Sequence, residues 1–119
     1  MTTDEIAKRL VELLRKGDFE TAQNELFADD AVSIEPHATP DFEKETKGKK
    51  AIHEKGKKWE TMVEATHGVT ASEPLVASNS LALIMGMDVT MKQRGRTNMK
   101  ELIVYTIKDG KIASEQFFM

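Results

Sequence analysis

The 119-residue chain has no cysteine and no long apolar run. The first absence excludes disulfides, thiol nucleophiles and sulfur-ligated metals. The unbroken apolar runs span only a few residues, which is too short for a helix that crosses a bilayer. The N-terminal MTTDEIAKRL is charged and amphipathic, unlike a basic-then-apolar signal peptide. We therefore expect a cytoplasmic protein that has no membrane partner.

An excess of positive charge is also lacking, because the formal net charge is −3. Nothing in this balance recruits nucleic acid. The lysines between residues 44 and 58 alternate with glutamates, as on a solvated helix face. His37, His53 and His67 lack metal-ligand spacing, and no HExxH motif is present. We expect no nucleic-acid partner, no metal and no cofactor.

We interpret the whole chain, residues 1–119, as one domain. Helical periodicity dominates its first half. Thr2 and Glu5 have capping-box spacing, and Gly17 marks the end of the helix that follows. The apolar stripe of this helix comprises Ile6, Leu10, Leu13 and Leu14. Asp18 is positioned to cap a second, shorter helix. A third helix is predicted from about residue 49 to residue 64.

A period of two marks the strands. AVSIEP, residues 31–36, is predicted to be a short strand with Val32 and Ile34 on one face and Ser33 and Glu35 on the other. Residues 41–48 are expected to form an exposed loop. Four more strands are predicted over 66–74, 79–92, 96–108 and 111–118. Their short turns imply antiparallel pairing.

Helices followed by a strand meander predict an α+β fold. Three N-terminal helices would pack on a curved antiparallel sheet, and a cone of this kind encloses an internal cavity. In the strand 96–108, Leu102 and Val104 make the second face apolar as well. We therefore expect a homodimer that forms through the outer face of the sheet.

Two segments, LFADDAVSIEP and TIKDGKIASEQFF, resemble the nuclear-transport-factor-2-like superfamily, in its SnoaL-like and ketosteroid-isomerase-like branches. The similarity runs from about residue 4 to the end and implies the cystatin-like cone. In ketosteroid isomerase the carboxylate before the proline is the general base, and that position is Glu35 here. The two oxyanion donors of the isomerase fall at Leu10 and about Ile103. Both donors are missing, so steroid isomerisation itself is not expected.

Glu35, Glu101, Glu115 and His67 are the candidate catalytic residues. A cavity-facing Glu35 suits acid/base work, and carboxylates converging on one cavity would have divergent pKa values. His67 lies on a predicted strand, where it could form a hydrogen bond in the cavity. Other arrangements stay open: Glu35 could face solvent or pair with Lys47 or Lys50. A register shift of one residue would place Glu101 or Glu115 outside.

The candidate pocket residues are Trp59, Met85, Met87, Tyr105 and Phe117. A methionine stripe adapts to a flat apolar ligand, although it also suits an ordinary core. The first hypothesis is cofactor-free acid/base chemistry, of the isomerase or cyclase type, on a hydrophobic carbonyl compound. Glu35 would be the base. The alternative is a non-catalytic ligand-binding or dimerisation module.

Overall fold

The computed structural model describes all 119 residues, and three helices precede most of the sheet. Helix α1 spans Thr3–Arg15, α2 spans Phe19–Leu26 and α3 spans Lys49–Met62. The predicted capping box is confirmed, because Thr2 accepts a hydrogen bond from the Glu5 amide and Glu5 accepts one from the Thr2 amide. Gly17 follows α1 with a φ of +70°, a conformation that glycine adopts without strain.

Seven strands form one curved sheet. Their bounds are β1 Phe27–Ile34, β2 Glu45–Lys47, β3 Val63–Ala71, β4 Leu75–Val76, β5 Ser80–Met91, β6 Gly95–Lys108 and β7 Lys111–Phe118. The order across the sheet is β2-β1-β7-β6-β5-β3, and β4 also pairs with β5. The predicted meander of long antiparallel strands is confirmed for β5, β6 and β7.

The prediction of a wholly antiparallel sheet is wrong at one point. Strand β1 pairs with β7 in parallel, so the sheet is mixed. The chain leaves β1, passes through α3 and the meander, and returns with β7 between β1 and β6. The prediction that 41–48 is entirely loop is also wrong, because residues 45–47 pair with β1. Strands β2 and β4 have only three and two residues, too few to show the alternation of apolar and polar residues by which strands are predicted.

The core lies between the helices and the inner face of the sheet. Alternate residues of β5 from Leu81 to Met91 are buried, as are Ile103 and Tyr105 of β6. Leu10 of α1 packs in the same cluster. A bulge in β7 lets Ile112 and Glu115 both face inward. None of the three helices combines the length and hydrophobicity that a bilayer-spanning segment requires. The expected cytoplasmic location stays a prediction.

Candidate functional site

A cleft of about 1400 Å³ opens on the inner side of the sheet. It is bounded by α3, by the loop after β1 and by the inward residues of β5, β6 and β7. This volume exceeds the range of roughly 300–1,000 Å³ usual for small-molecule sites. Its lining includes all nine residues predicted from sequence: Glu35, Trp59, His67, Met85, Met87, Glu101, Tyr105, Glu115 and Phe117.

A buried hydrogen bond joins Ser33 to Glu115. Ser33 Oγ donates to Glu115 Oε2 at 2.8 Å, and the two residues are 0% and 8% exposed. The parallel register of β1 on β7 sets Ser33 beside Glu115. Ser33 is fully enclosed, so its hydroxyl cannot attack a ligand and instead orients the carboxyl group. The alternative in which a register shift places Glu115 outside is wrong.

Burial raises the pKa of Glu115 from 4.5 to about 7. The Ser33 hydrogen bond and the Lys55 charge oppose this rise, whereas the charges of Glu35 and Glu101 add to it. A carboxyl group with this pKa exchanges its proton near neutral pH, which is the property that an acid or base needs.

Lys55 of α3 is the central cation of the site. Its Nζ donates to Ser33 Oγ at 2.9 Å and lies 3.4 Å from Glu35 Oε1. The same Nζ is 5.5 Å from the centroid of the Phe117 ring, within cation–π range. The chain of contacts therefore runs Glu35, Lys55, Ser33, Glu115.

Lys55 is the functional residue that the sequence analysis does not single out, because the mixed charges of residues 44–58 predict a solvated helix face. A signal was present in the spacing. Lys55 follows the buried Ile52 by three residues and precedes Trp59 by four, so all three lie on one face of α3. The side chain of a lysine in that stripe extends along the apolar surface, so its ammonium group lies at the cleft.

Glu35 is largely buried and lines the cleft. Its amide donates to the carbonyl of Lys44 at 2.7 Å, which fixes the backbone as the chain leaves β1. The ion pair with Lys55 replaces the alternatives considered from sequence: Lys47 instead lies 3.8 Å from Glu45, and Lys50 forms no ion pair.

Glu101 lies on the inner face of β6, opposite Met85 of β5. Burial raises its pKa, the Glu35 charge raises it further, and Lys55 lowers it. The alternative that places Glu101 outside, paired across the sheet, is therefore wrong. Glu35, Glu101 and Glu115 thus line the same cleft as Lys55.

His67 lies apart from the carboxyl groups. Its Nε2 is 2.7 Å from Thr90 Oγ1, and the residue is exposed. Thr90 alternates with the buried Val89 and Met91, so its side chain lies on the outer face of β5. The geometry does not bring His67 together with Glu35, Glu101 or Glu115.

The fold and the cleft define a class: a cystatin-like, nuclear-transport-factor-2-like α+β cone with an acidic inner wall. Within that class, the chain belongs to the SnoaL-like domain family, whose model matches residues 1–119. The resemblance and the fold class expected from sequence are thus confirmed.

Solved structures agree with this assignment. A Mesorhizobium loti protein, provisionally named a SnoaL-like polyketide cyclase, is 38% identical over 100% of both chains with a TM-score of 0.92. A Xanthomonas campestris protein with a cystatin-like fold is 17% identical, with 99% and 90% of the two chains covered and a TM-score of 0.81. A Catenulispora acidiphila protein with a ketosteroid isomerase-like fold is 18% identical, with 99% and 87% of the two chains covered and a TM-score of 0.71. Among curated proteins, none matches the chain significantly.

Proposed function

We propose that this protein binds a hydrophobic carbonyl compound in the cleft and catalyses cofactor-free acid/base chemistry on it, of the isomerase or cyclase type. The observation that carries the proposal is the contact chain from Glu35 through Lys55 and Ser33 to Glu115. It places an ion-paired carboxylate and a carboxyl group of near-neutral pKa on one cleft. Trp59, Met85, Met87 and Phe117 supply apolar walls. The Mesorhizobium loti relative carries the names polyketide cyclase and carbohydrate phosphatase, and the first of these is consistent with the class proposed here.

Glu35 is the base in this mechanism. Its carboxylate removes a proton from the carbon next to the carbonyl group: the C–H bond breaks, an O–H bond forms on Glu35, and the electron pair becomes an enolate. The proton can then return to another carbon, or the enolate carbon can attack a second electrophilic carbon of the same ligand. In the isomerisation Glu35 itself returns the proton. In the cyclisation the attacked carbonyl oxygen becomes an alkoxide, and Glu115, which exchanges a proton near neutral pH, can protonate it before Glu35 passes its own proton back to Glu115 through solvent.

The proposal is tested by hydrogen exchange on a simple ketone. We expect the protein to accelerate incorporation of deuterium from D₂O into the acetyl group of 2-acetylnaphthalene, followed by NMR. The naphthyl ring tests the apolar walls and the acetyl group tests the base. An exchange rate equal to that in buffer, at ketone concentrations that saturate the cleft, would refute the acid/base function and leave ligand binding alone.

We further propose that the protein is a homodimer. This second candidate role, dimerisation, is supported by an exposed apolar row on the outer face of the sheet. On the outer face, Ile84, Leu102 and Phe118 pair across three adjacent strands and are 50%, 43% and 42% exposed. A shallow apolar depression of about 260 Å³ adjoins them, lined in part by Leu75 and Val104. Such a contiguous apolar row is what a second copy would cover.

Leu102→Lys is expected to convert the dimer to monomer, because a charge would be desolvated at the centre of the contact. Analytical ultracentrifugation at micromolar concentration measures the change. Ala38→Lys, an exposed loop position away from this row, is the matched control and should remain dimeric. A monomeric wild type, or a dimer unaffected by Leu102→Lys, contradicts the assignment of this face.

A further inference from the structure

Tyr105 is the only tyrosine of the chain and is 2% exposed. Its hydroxyl group forms no hydrogen bond with another protein group, since none of the side-chain hydrogen bonds of the structure involves Tyr105. Nevertheless, no buried side-chain oxygen in the structure lacks a partner. The small accessible area of Tyr105 therefore includes its hydroxyl oxygen, which reaches the cleft that the residue lines.

A buried phenol without a protein partner loses the hydrogen bonds it made to water in the unfolded chain. That loss is recovered when a ligand atom takes the place of water. Burial raises the pKa of Tyr105 well above its ordinary value, with the charges of Glu115 and Glu101 adding to the effect. The hydroxyl therefore stays protonated over the physiological pH range and remains a donor.

None of Glu35, Lys55, Glu101 and Glu115 offers a donor that is both free and present throughout the physiological pH range. Glu35, Glu101 and Glu115 supply acceptors when ionised. Lys55 is engaged by Ser33 and Glu35. Tyr105 lies directly across from Glu115 on the neighbouring strand, so the donor and the near-neutral carboxyl group stand side by side.

We propose that the Tyr105 hydroxyl donates a hydrogen bond to the carbonyl oxygen of the bound ligand, and so selects carbonyl compounds over hydrocarbons of the same shape. This assignment rests on the proposed function for the ligand class and deepens it. The two oxyanion donors expected from ketosteroid isomerase are absent at Leu10 and Ile103, but the inward position two residues beyond Ile103 presents a hydroxyl group. Negative charge that develops on the ligand oxygen during proton removal would strengthen the bond.

The test compares two probes of the same shape that differ only in the group double-bonded to one carbon. 2-Acetylnaphthalene carries the carbonyl oxygen, and 2-isopropenylnaphthalene has a methylene group in its place. We expect Tyr105→Phe to weaken binding of the ketone about 3- to 10-fold by calorimetry, as loss of one neutral hydrogen bond predicts. Binding of the hydrocarbon should be unchanged or tighter, because the phenyl ring keeps its packing.

A spectroscopic readout separates hydrogen bonding from a structural role. With a ¹³C-labelled carbonyl group, the infrared stretch of the bound ketone should lie at lower frequency in the wild type than in Tyr105→Phe. Phe117→Leu is the control, since it alters an apolar wall and should affect both probes alike without moving the stretch. The inference is overturned if the wild type binds the ketone no more tightly than the hydrocarbon, or does not bind the ketone at all. It is also overturned if Tyr105→Phe changes neither this preference nor the carbonyl stretching frequency.

Failure of this inference is distinguishable from failure of the proposed function. If Tyr105→Phe loses the preference for the ketone while the wild type catalyses no deuterium exchange, the acid/base proposal fails and the role of Tyr105 stands. If the wild type catalyses exchange while Tyr105→Phe changes neither the preference for the ketone nor the carbonyl stretch, the acid/base proposal stands and the role of Tyr105 fails.

Discussion

Glu35→Gln is expected to lower the rate of deuterium exchange into 2-acetylnaphthalene by about 100-fold or more, since general bases typically contribute on the order of 10²–10⁴ in rate. The amide has nearly the same size as the carboxyl group but cannot accept the proton. Lys55 keeps its hydrogen bond to Ser33 in this variant, so the arrangement around Glu115 survives. NMR detection of the acetyl deuterium content measures the effect.

Glu45→Gln is the matched control for this experiment. The same substitution is made there at an exposed carboxylate on β2, outside the residues that line the cleft. It should exchange at the wild-type rate. The binding constant for 2-isopropenylnaphthalene should be the same in all three proteins, because this hydrocarbon forms no hydrogen bond with a carboxylate or an amide and the exchanged groups have nearly the same size. If Glu35→Gln keeps the wild-type exchange rate, Glu35 is not the base.

Local periodicity explains why much of this fold could be predicted. The capping box at Thr2 and the apolar stripe of α1 involve residues within four positions of each other, and the structure reproduces both. The alternation in β5 and β6 also correctly placed Met85, Glu101 and Tyr105 on one face. Such patterns report which face of an element is buried, because the period of the backbone repeats along the chain.

Long-range pairing could not be predicted in the same way. The hydrogen bond between Ser33 and Glu115 joins residues 82 positions apart and exists because β1 lies parallel to β7. Nothing local in AVSIEP or KIASEQFF indicates that neighbour. The sequence therefore leaves open whether the polar face of β1, with Ser33 and Glu35, lies toward the cavity or toward solvent, and only the pairing with β7 decides it.

Lys55 shows a different limit. Its charge is typical of an exposed helix face, and only its spacing from Ile52 and Trp59 points inward. A long lysine stem can follow an apolar surface and still bring its ammonium group to carboxylates at the far end. The sequence predicted the acids of the site, therefore, but not the cation that organises them.

Glu115→Gln is expected to remove a large pH dependence of stability. The pKa of this carboxyl group is about 7 in the folded protein, compared with 4.5 as the ordinary value. Below pH 4.5 both the folded and the unfolded chain hold the proton. Between pH 4.5 and 7 the folded chain binds more protons, so the contribution of Glu115 to the free energy of unfolding falls as pH rises. The loss reaches about 3 kcal/mol above pH 7.

Urea unfolding at a series of pH values measures this effect as the difference between wild type and Glu115→Gln. Other titrating groups are present in both proteins, so the difference reports Glu115 together with its coupling to Lys55, Glu35 and Glu101. Glu54→Gln, at an exposed position of α3, should leave the pH dependence unchanged. In ¹³C NMR, one glutamate carboxyl group should titrate near pH 7 and be missing from Glu115→Gln. A flat difference between the two stability profiles would mean that the pKa of Glu115 is the same in the folded and unfolded chain, and the cleft would then lack a carboxylic acid at neutral pH.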